Sequence, residues 1–281
     1  MREDPLSRRN HARHTIAAMT DTAADTAAEL LDMRRTRRIV DRLPQRLRPV
    51  DLAAAYDAQH HLVDALLTPG DDPIGYKVAC TSEVAQRALA IDRPVFGRLL
   101  PHTTSPSGAT LPTGGFVHRV IEAEFGFRIG VDVAPVEGGH THATIASCID
   151  AVIPAIEIVD HRFVSWDVGA LSVAADNAIH GWWVHGEPVI DWRHLDLGAA
   201  AVAVDVDGAL VTTGSGAAVL GHPLTVMAWL ADELPRFGRQ LRAGDLVTTG
   251  VTTEVFEAAA GQHVVARFAE VGDVELRFDD W

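Results

Sequence analysis

The sequence predicts an α+β fold: a mixed, curved β-barrel or roll preceded by a small helical portion. Three observations carry this. Helical patterning is concentrated before residue 70, strand signals dominate from residue 95 onward, and only two helical interruptions appear among the later strands. The chain has 281 residues, 47 % hydrophobic and 22 % charged, the balance of a soluble globular protein with a substantial core.

Taken in order, residues 1–18 mix Arg, His and Asp without periodicity and without the apolar stretch of a secretory signal, so they read as a disordered extension. Helical patterns follow over 22–43 and 51–67, the second opening on Asp51 as an N-cap. A short strand over 74–82 comes after the turn-forming stretch 69–73, and Ser82 caps a short helix through Ala90. These make a mostly helical portion over 19–93, and a β-rich portion carrying the chemistry over 94–281. Strands are expected at 120–129, 152–160, 181–189, 246–249, 264–268 and 274–278, and Asp207-Gly208 joins 201–206 to 209–213 as a hairpin. Helices are expected at about 143–152 and at 223–234, where Pro223 suits a first turn.

The run Val120 to Ile129 alternates so that Ile121, Ala123, Phe125, Phe127 and Ile129 form one face while Glu122 and Glu124 share the other. Two strand positions span roughly 7 Å, and like charges that close call for a partner, for which a hard divalent cation is suited. An exposed strand face with two solvated acids is the plainer alternative. Glu157 sits between Ile156 and Ile158 in a run that reads as a buried strand, where an ionised carboxylate is costly unless paired or bound to metal. A salt bridge to Arg128 or Arg162 would also meet that need. Of 24 Lys plus Arg residues, Lys77 is the single lysine. Arg stays protonated, whereas a lysine in an apolar strand can be tuned to move a proton. His118, four residues before Glu122, would share its face in a strand, either as a support for that carboxylate or as a residue at the rim of the site.

A formal charge of −14 argues against nucleic acid as a partner, and the basic stretch Arg34-Arg35-Thr36-Arg37-Arg38 reads as solvated surface or a subunit contact. No run of 18 apolar residues suggests a membrane helix. Two widely spaced cysteines, Cys80 and Cys148, fit reduced thiols in a cytoplasmic protein. His140-Thr-His142 offers too few ligands for zinc, Gly214-Ser-Gly216 lacks a dinucleotide-binding context, and no G-x-S-x-G elbow is present.

The strings GYKVACTS (75–82), RVIEAEFGF (119–127), PAIEIVDHRF (154–163), AADNA (174–178), LGHPLTVMAWLADEL (220–234) and GDLVTTG (244–250) resemble, in order, the 2-keto-4-pentenoate hydratase and 4-oxalocrotonate decarboxylase branch of the fumarylacetoacetate hydrolase superfamily. The resemblance runs from about residue 50 to the C-terminus. It implies the C-terminal barrel type of that superfamily, a Mg²⁺ or Mn²⁺ site built from Glu122, Glu124 and Glu157, and a catalytic Lys77. It also implies substrate contacts around Asp176 and Asn177, with Thr81, Ser82 and Thr252. Val95 replaces an acid often found in hydratases of this branch, and Val251 replaces a usual serine. His161 and His180 stand where smaller polar residues are usual, placing them with His118 as candidate supports of the site.

The implied activity is metal-dependent hydration of a 2-hydroxy-2,4-dienoate to a 4-hydroxy-2-oxo acid in aromatic catabolism, the cation acting as a Lewis acid. Decarboxylation of a 4-oxalocrotonate-like 2-oxo diacid comes next, then C–C hydrolysis of an acylpyruvate. A non-catalytic partner subunit is the reading from a different class. The resemblance further implies a homo-oligomer, and a complex with a related pathway enzyme.

Overall fold

The computed structural model describes residues 22–88 and 91–280, so the extension expected at 1–18 lies outside them. The first helix, α1, covers residues 22–36, shorter than its patterning predicts. Arg37 takes a left-handed φ of 54°, and Arg38 N donates to Met33 O at 3.0 Å, a C-terminal cap that stops the helix early. Helix α2 (Leu52–Leu66) starts at Asp51, whose side chain accepts from Ala54 N. Strand β1 (Gly75–Ala79) leads through α3 (Glu83–Ala88), where Ser82 Oγ accepts from Ala85 N at 3.2 Å, to β2 (Val95–Leu99). Then come β3 (Thr104–Pro106), β4 (Ala109–Leu111), β5 (Val120–Ile129), α4 (His142–Ala146), β6 (Ile149–Val159), α5 (Ala170–Ala175) and β7 (His180–His185). The chain closes with β8 (Ala201–Val206), β9 (Ala209–Ser215), α6 (Pro223–Glu233), β10 (Leu246–Val251), β11 (Phe256–Glu257), β12 (His263–Phe268) and β13 (Gly272–Phe278).

Two sheets result. The larger runs β2-β1-β10-β5-β6-β7-β3, with β11 added to β5, and the smaller runs β4-β13-β12-β8-β9. β1 pairs antiparallel with β2 and parallel with β10, so the larger sheet runs across the expected boundary at residues 93 and 94. The expected helix over 143–152 is confined to α4, because Ile149 and Ala151 pair with Ile129 and Arg128 and draw that stretch into β6. The strand expected to reach Val189 stops at His185. The β8–β9 hairpin turns on Asp207 and Gly208, with φ of 52° and 82°, which matches the primed turn that Asp-Gly favours.

The apolar face of β5 points into the core between the sheets, where Phe125 meets Phe268 of β12 edge-on at 5.0 Å between ring centroids. α2 closes the other side. Its buried Gln59 donates to Phe96 O at 2.8 Å and Ala174 O at 2.7 Å, tying β2 to α5. These contacts leave the opposite face of β5, with its glutamates, toward a cavity.

Candidate active site

Strand register brings the carboxylates together. Glu122 on β5 pairs directly across from Glu157 on β6, and Glu124 stands two positions along the same face. One ligand oxygen from each of the three lies within 4.8 Å of the others. Glu124 and Glu157 are fully buried and Glu122 faces a cavity of about 450 Å³. Sequence spacing places two of these acids; only the β5–β6 register adds the third.

Lys77, 1 % exposed on β1, reaches the same point. Its Nζ donates to Ala178 O at 3.0 Å and pairs with Glu157 Oε2 at 3.2 Å. His180 Nδ1 bonds Glu157 Oε1 at 2.9 Å, so Glu157 is paired with Lys77 and His180. Arg128 and Arg162, the partners the sequence offered it, bond Asp150 and the pair Asp160 and Asp176 instead. Thr248 on β10 donates to Glu124 Oε2. The other oxygen of that carboxylate, Oε1, is buried with no hydrogen-bond partner among the described residues.

These contacts set the charges. Burial pushes the Glu122 carboxyl up to about 7, against the pull of Lys77 and with a further push from Glu157. Burial, then Glu157 and Glu122, lifts Glu124 well above the carboxylate range. Burial would raise Glu157 too, but Lys77 and His180 together hold it below its ordinary value. Burial alone would lower Lys77; Glu157, Glu122 and Glu124 reverse that and hold its amine above the ordinary value. The site is thus an ammonium and one firm carboxylate beside two acids that keep their protons too readily for solvent-exposed groups. A divalent cation fits this donor set: three oxygens converge, one has no partner, and the raised carboxyls lack the positive charge that would ionise them.

The carbonyl that holds Lys77 belongs to a strained turn. Asn177, Ala178 and Ile179 have φ of 52°, 49° and 55°, three consecutive left-handed residues costing roughly 1 kcal/mol or more each. Asn177 Oδ1 accepts from Arg98 N at 2.7 Å and its Nδ2 donates to Arg98 O at 3.0 Å, locking the turn to β2. A Cβ at Gly97 would lie 2.5 Å from Asn177 O, so glycine is required there. Asp176 is clamped behind the turn by Arg162 at 2.6 Å and Arg34 at 2.9 Å. The side chains of Asp176 and Asn177, expected to line substrate, therefore brace the wall from behind. Arg34, read from the sequence as solvated surface or a subunit contact, is a half-buried member of that brace, its partner lying 142 residues away.

The other expected residues divide. Thr81 and Ser82 line the cavity, and Gly250, with φ of 99°, leaves room for Thr81, whose Oγ1 would lie 1.9 Å from a Cβ there. Thr252 donates to Ala123 O at 2.7 Å and is buried, while Thr253 lines the cavity instead. Among the histidines, His180 supports Glu157. His118 and His161 stack on each other at 4.0 Å, and His161 lies against Trp166 at 4.5 Å, at the side of the cavity. Burial, then His118 and Arg162, pushes the His161 imidazole down to about 4. Val95 is buried in β2 and Val251 lines the cavity, so neither position offers an acid or hydroxyl. A larger open groove of about 870 Å³ includes Tyr76 and Arg98 and holds none of the glutamates; strand alternation puts Tyr76 on the face of β1 opposite Lys77.

The family model described as fumarylacetoacetate (FAA) hydrolase C-terminal matches residues 77–279. A 2-keto-4-pentenoate hydratase of Burkholderia vietnamiensis is 32 % identical over 92 % of this chain and 98 % of that protein. A 4-oxalocrotonate decarboxylase of a Pseudomonas species is 32 % identical over 80 % of this chain and 85 % of that protein. The solved structure of a 4-oxalocrotonate decarboxylase from Pseudomonas putida G7, complexed with magnesium and adipate, superposes with a TM-score of 0.86 at 27 % identity, covering 92 % of this chain and 97 % of that one.

Proposed function

The chain belongs to the fumarylacetoacetate hydrolase family, and we propose that within it the chain is a divalent-metal-dependent lyase that adds water to a 2-hydroxy-2,4-dienoate to give a 4-hydroxy-2-oxo acid. The observation that carries this reading is the convergence of Glu122, Glu124 and Glu157 with Lys77 at the inner end of one cavity. The three glutamates would hold Mg²⁺, or Mn²⁺. When bound, the cation supplies Lewis-acid polarisation of the substrate's carboxylate and 2-oxo group. The magnesium in the related decarboxylase structure supports that choice.

Lys77 is positioned by Ala178 O and Glu157, and the three glutamates keep it as an ammonium, so the role open to it is that of proton donor. Lys77 would deliver a proton to C5 of the dienol and regain one from the 2-hydroxyl, which gives the conjugated 2-oxo acid; water then adds with its oxygen at C4 and a proton at C3. His180 fixes the orientation of Glu157 from the side away from Lys77. Val159, Val173 and Ile179 wall the cavity and keep bulk water from the reacting diene. Assembly into a homo-oligomer in the cytoplasm is part of the same reading. Exposed Leu210 and Val211 on β9, the edge strand of the smaller sheet, supply apolar surface for it. Among the described residues no helix is long and apolar enough to cross a membrane.

Decarboxylation of a 2-oxo diacid is the second reading. It uses the same head-group chemistry, needs no activated water, and is favoured by Val95, which gives the cavity no extra acid. The test is turnover of 2-hydroxypenta-2,4-dienoate by metal-stripped protein with and without Mg²⁺, following dienol absorbance and product mass. A Mg²⁺-dependent gain of one water supports hydration. No turnover by folded, metal-loaded protein refutes it, and carbon dioxide release from a 2-oxo diacid would establish the second reading.

A further inference from the structure

The far end of the cavity says what the substrate carries beyond its 2-oxo acid head. We infer that this site takes a monocarboxylic 2-oxo or 2-hydroxydienoic acid with an uncharged hydrocarbon tail longer than that of pentadienoate, and rejects a second carboxylate at the tail. The inference rests on the proposed function, which fixes the head at Glu122 and Lys77.

Apart from that polar end and the hydroxyls of Thr81, Ser82 and Thr253, the lining side chains are mainly hydrocarbon, led by Val159, Val173, Ile179, Val255 and the indole of Trp166. Lys77 is the only cationic side chain lining the cavity among the described residues, and it is already paired with Glu157 at the inner end. Arg162 and Arg34, the cations behind the wall, are both spent on Asp176. His161, against Trp166, is uncharged at neutral pH because burial, His118 and Arg162 hold its imidazole down. The acid lining the tail end is Glu254, exposed, which would repel a carboxylate. A carboxylate there would lose water and gain no cationic partner, only neutral hydroxyls such as those of Ser82 and Thr253, whereas added methylenes gain burial. A cavity of about 450 Å³ also lies within the range that holds ligands well beyond a five-carbon acid.

Calorimetric binding to Mg²⁺-loaded protein tests this without turnover. The probes are 2-oxopentanoate, 2-oxohexanoate, 2-oxooctanoate and 2-oxoadipate. The last matches 2-oxohexanoate in length and differs by its terminal carboxylate. The expected result is roughly ten-fold or more tighter binding of 2-oxooctanoate than of 2-oxopentanoate, and of 2-oxohexanoate than of 2-oxoadipate. Glu254→Arg, on an exposed position, should narrow the second gap several-fold. Equal or tighter binding of the diacid, or no gain with tail length, overturns the inference and leaves the proposed function standing. If none of the four binds while Mg²⁺ is bound, both fall.

Discussion

Without metal, Glu122 should make the protein less stable as pH rises. Its carboxyl sits at about 7 in the folded chain against an ordinary 4.5. A folded-state value above the unfolded one means the folded form binds the proton more tightly. The stabilisation is therefore complete below 4.5 and is lost as pH climbs through 7. The rise from 4.5 to about 7 corresponds to about 3 kcal/mol, an upper bound because part of the side chain faces the cavity. Glu124 works in the same direction. Urea unfolding of chelator-treated protein should therefore show stability falling between pH 5 and pH 8, and Glu122→Gln should recover up to about 3 kcal/mol at pH 8 while changing little at pH 5. Mg²⁺ should flatten the wild-type slope, since binding to the ionised carboxylates is favoured at high pH. A metal-free stability that is level or rises over this range, or a Glu122→Gln variant no more stable at pH 8, would refute the electrostatic account of the site.

Three further outcomes follow from the same geometry. Lys77→Met should lower kcat by about 10²–10⁴-fold in steady-state assays at saturating Mg²⁺. In the metal-free chain it should also cost about 3–5 kcal/mol, because Glu157 loses its buried partner. Asp176→Ala should destabilise by about 3–5 kcal/mol in denaturant titrations, removing the carboxylate that Arg34 and Arg162 share and leaving Arg162 only Asp160. Gly250→Ala forces a Cβ to 1.9 Å from Thr81 Oγ1 at a φ of 99°, so it should raise KM and lower the melting temperature together. An unchanged KM would mean that Thr81 does not touch substrate.

How much of this was legible in the sequence differs from residue to residue. The shared face of Glu122 and Glu124 follows from period-two alternation over ten residues, a local property, and the structure keeps it. The hairpin at Asp207-Gly208 and the cap at Asp51 were local too. Glu157 could be flagged as a costly buried charge, but its true partners, Lys77 and His180, come from other strands and depend on register. The left-handed turn at Asn177, Ala178 and Ile179 carries no glycine, and Asn177 is the one residue in it that favours this conformation; the Asn177 bonds to Arg98 and the Asp176 clamp impose the rest from outside. Arg34 was lost among neighbouring arginines for the same reason. Strand ends shifted wherever pairing overrode local preference, as at Ile149, where β5 recruits residues that helical spacing alone would assign to α4.

The central claim, that Glu122, Glu124 and Glu157 form one divalent-cation site, is tested most directly by titrating Mn²⁺ into metal-stripped protein and following free Mn²⁺ by electron paramagnetic resonance. The account predicts one ion per chain, affinity that weakens as pH falls below about 7, and loss of that binding in Glu124→Gln. Absence of binding, or binding that Glu124→Gln leaves unchanged, would contradict it.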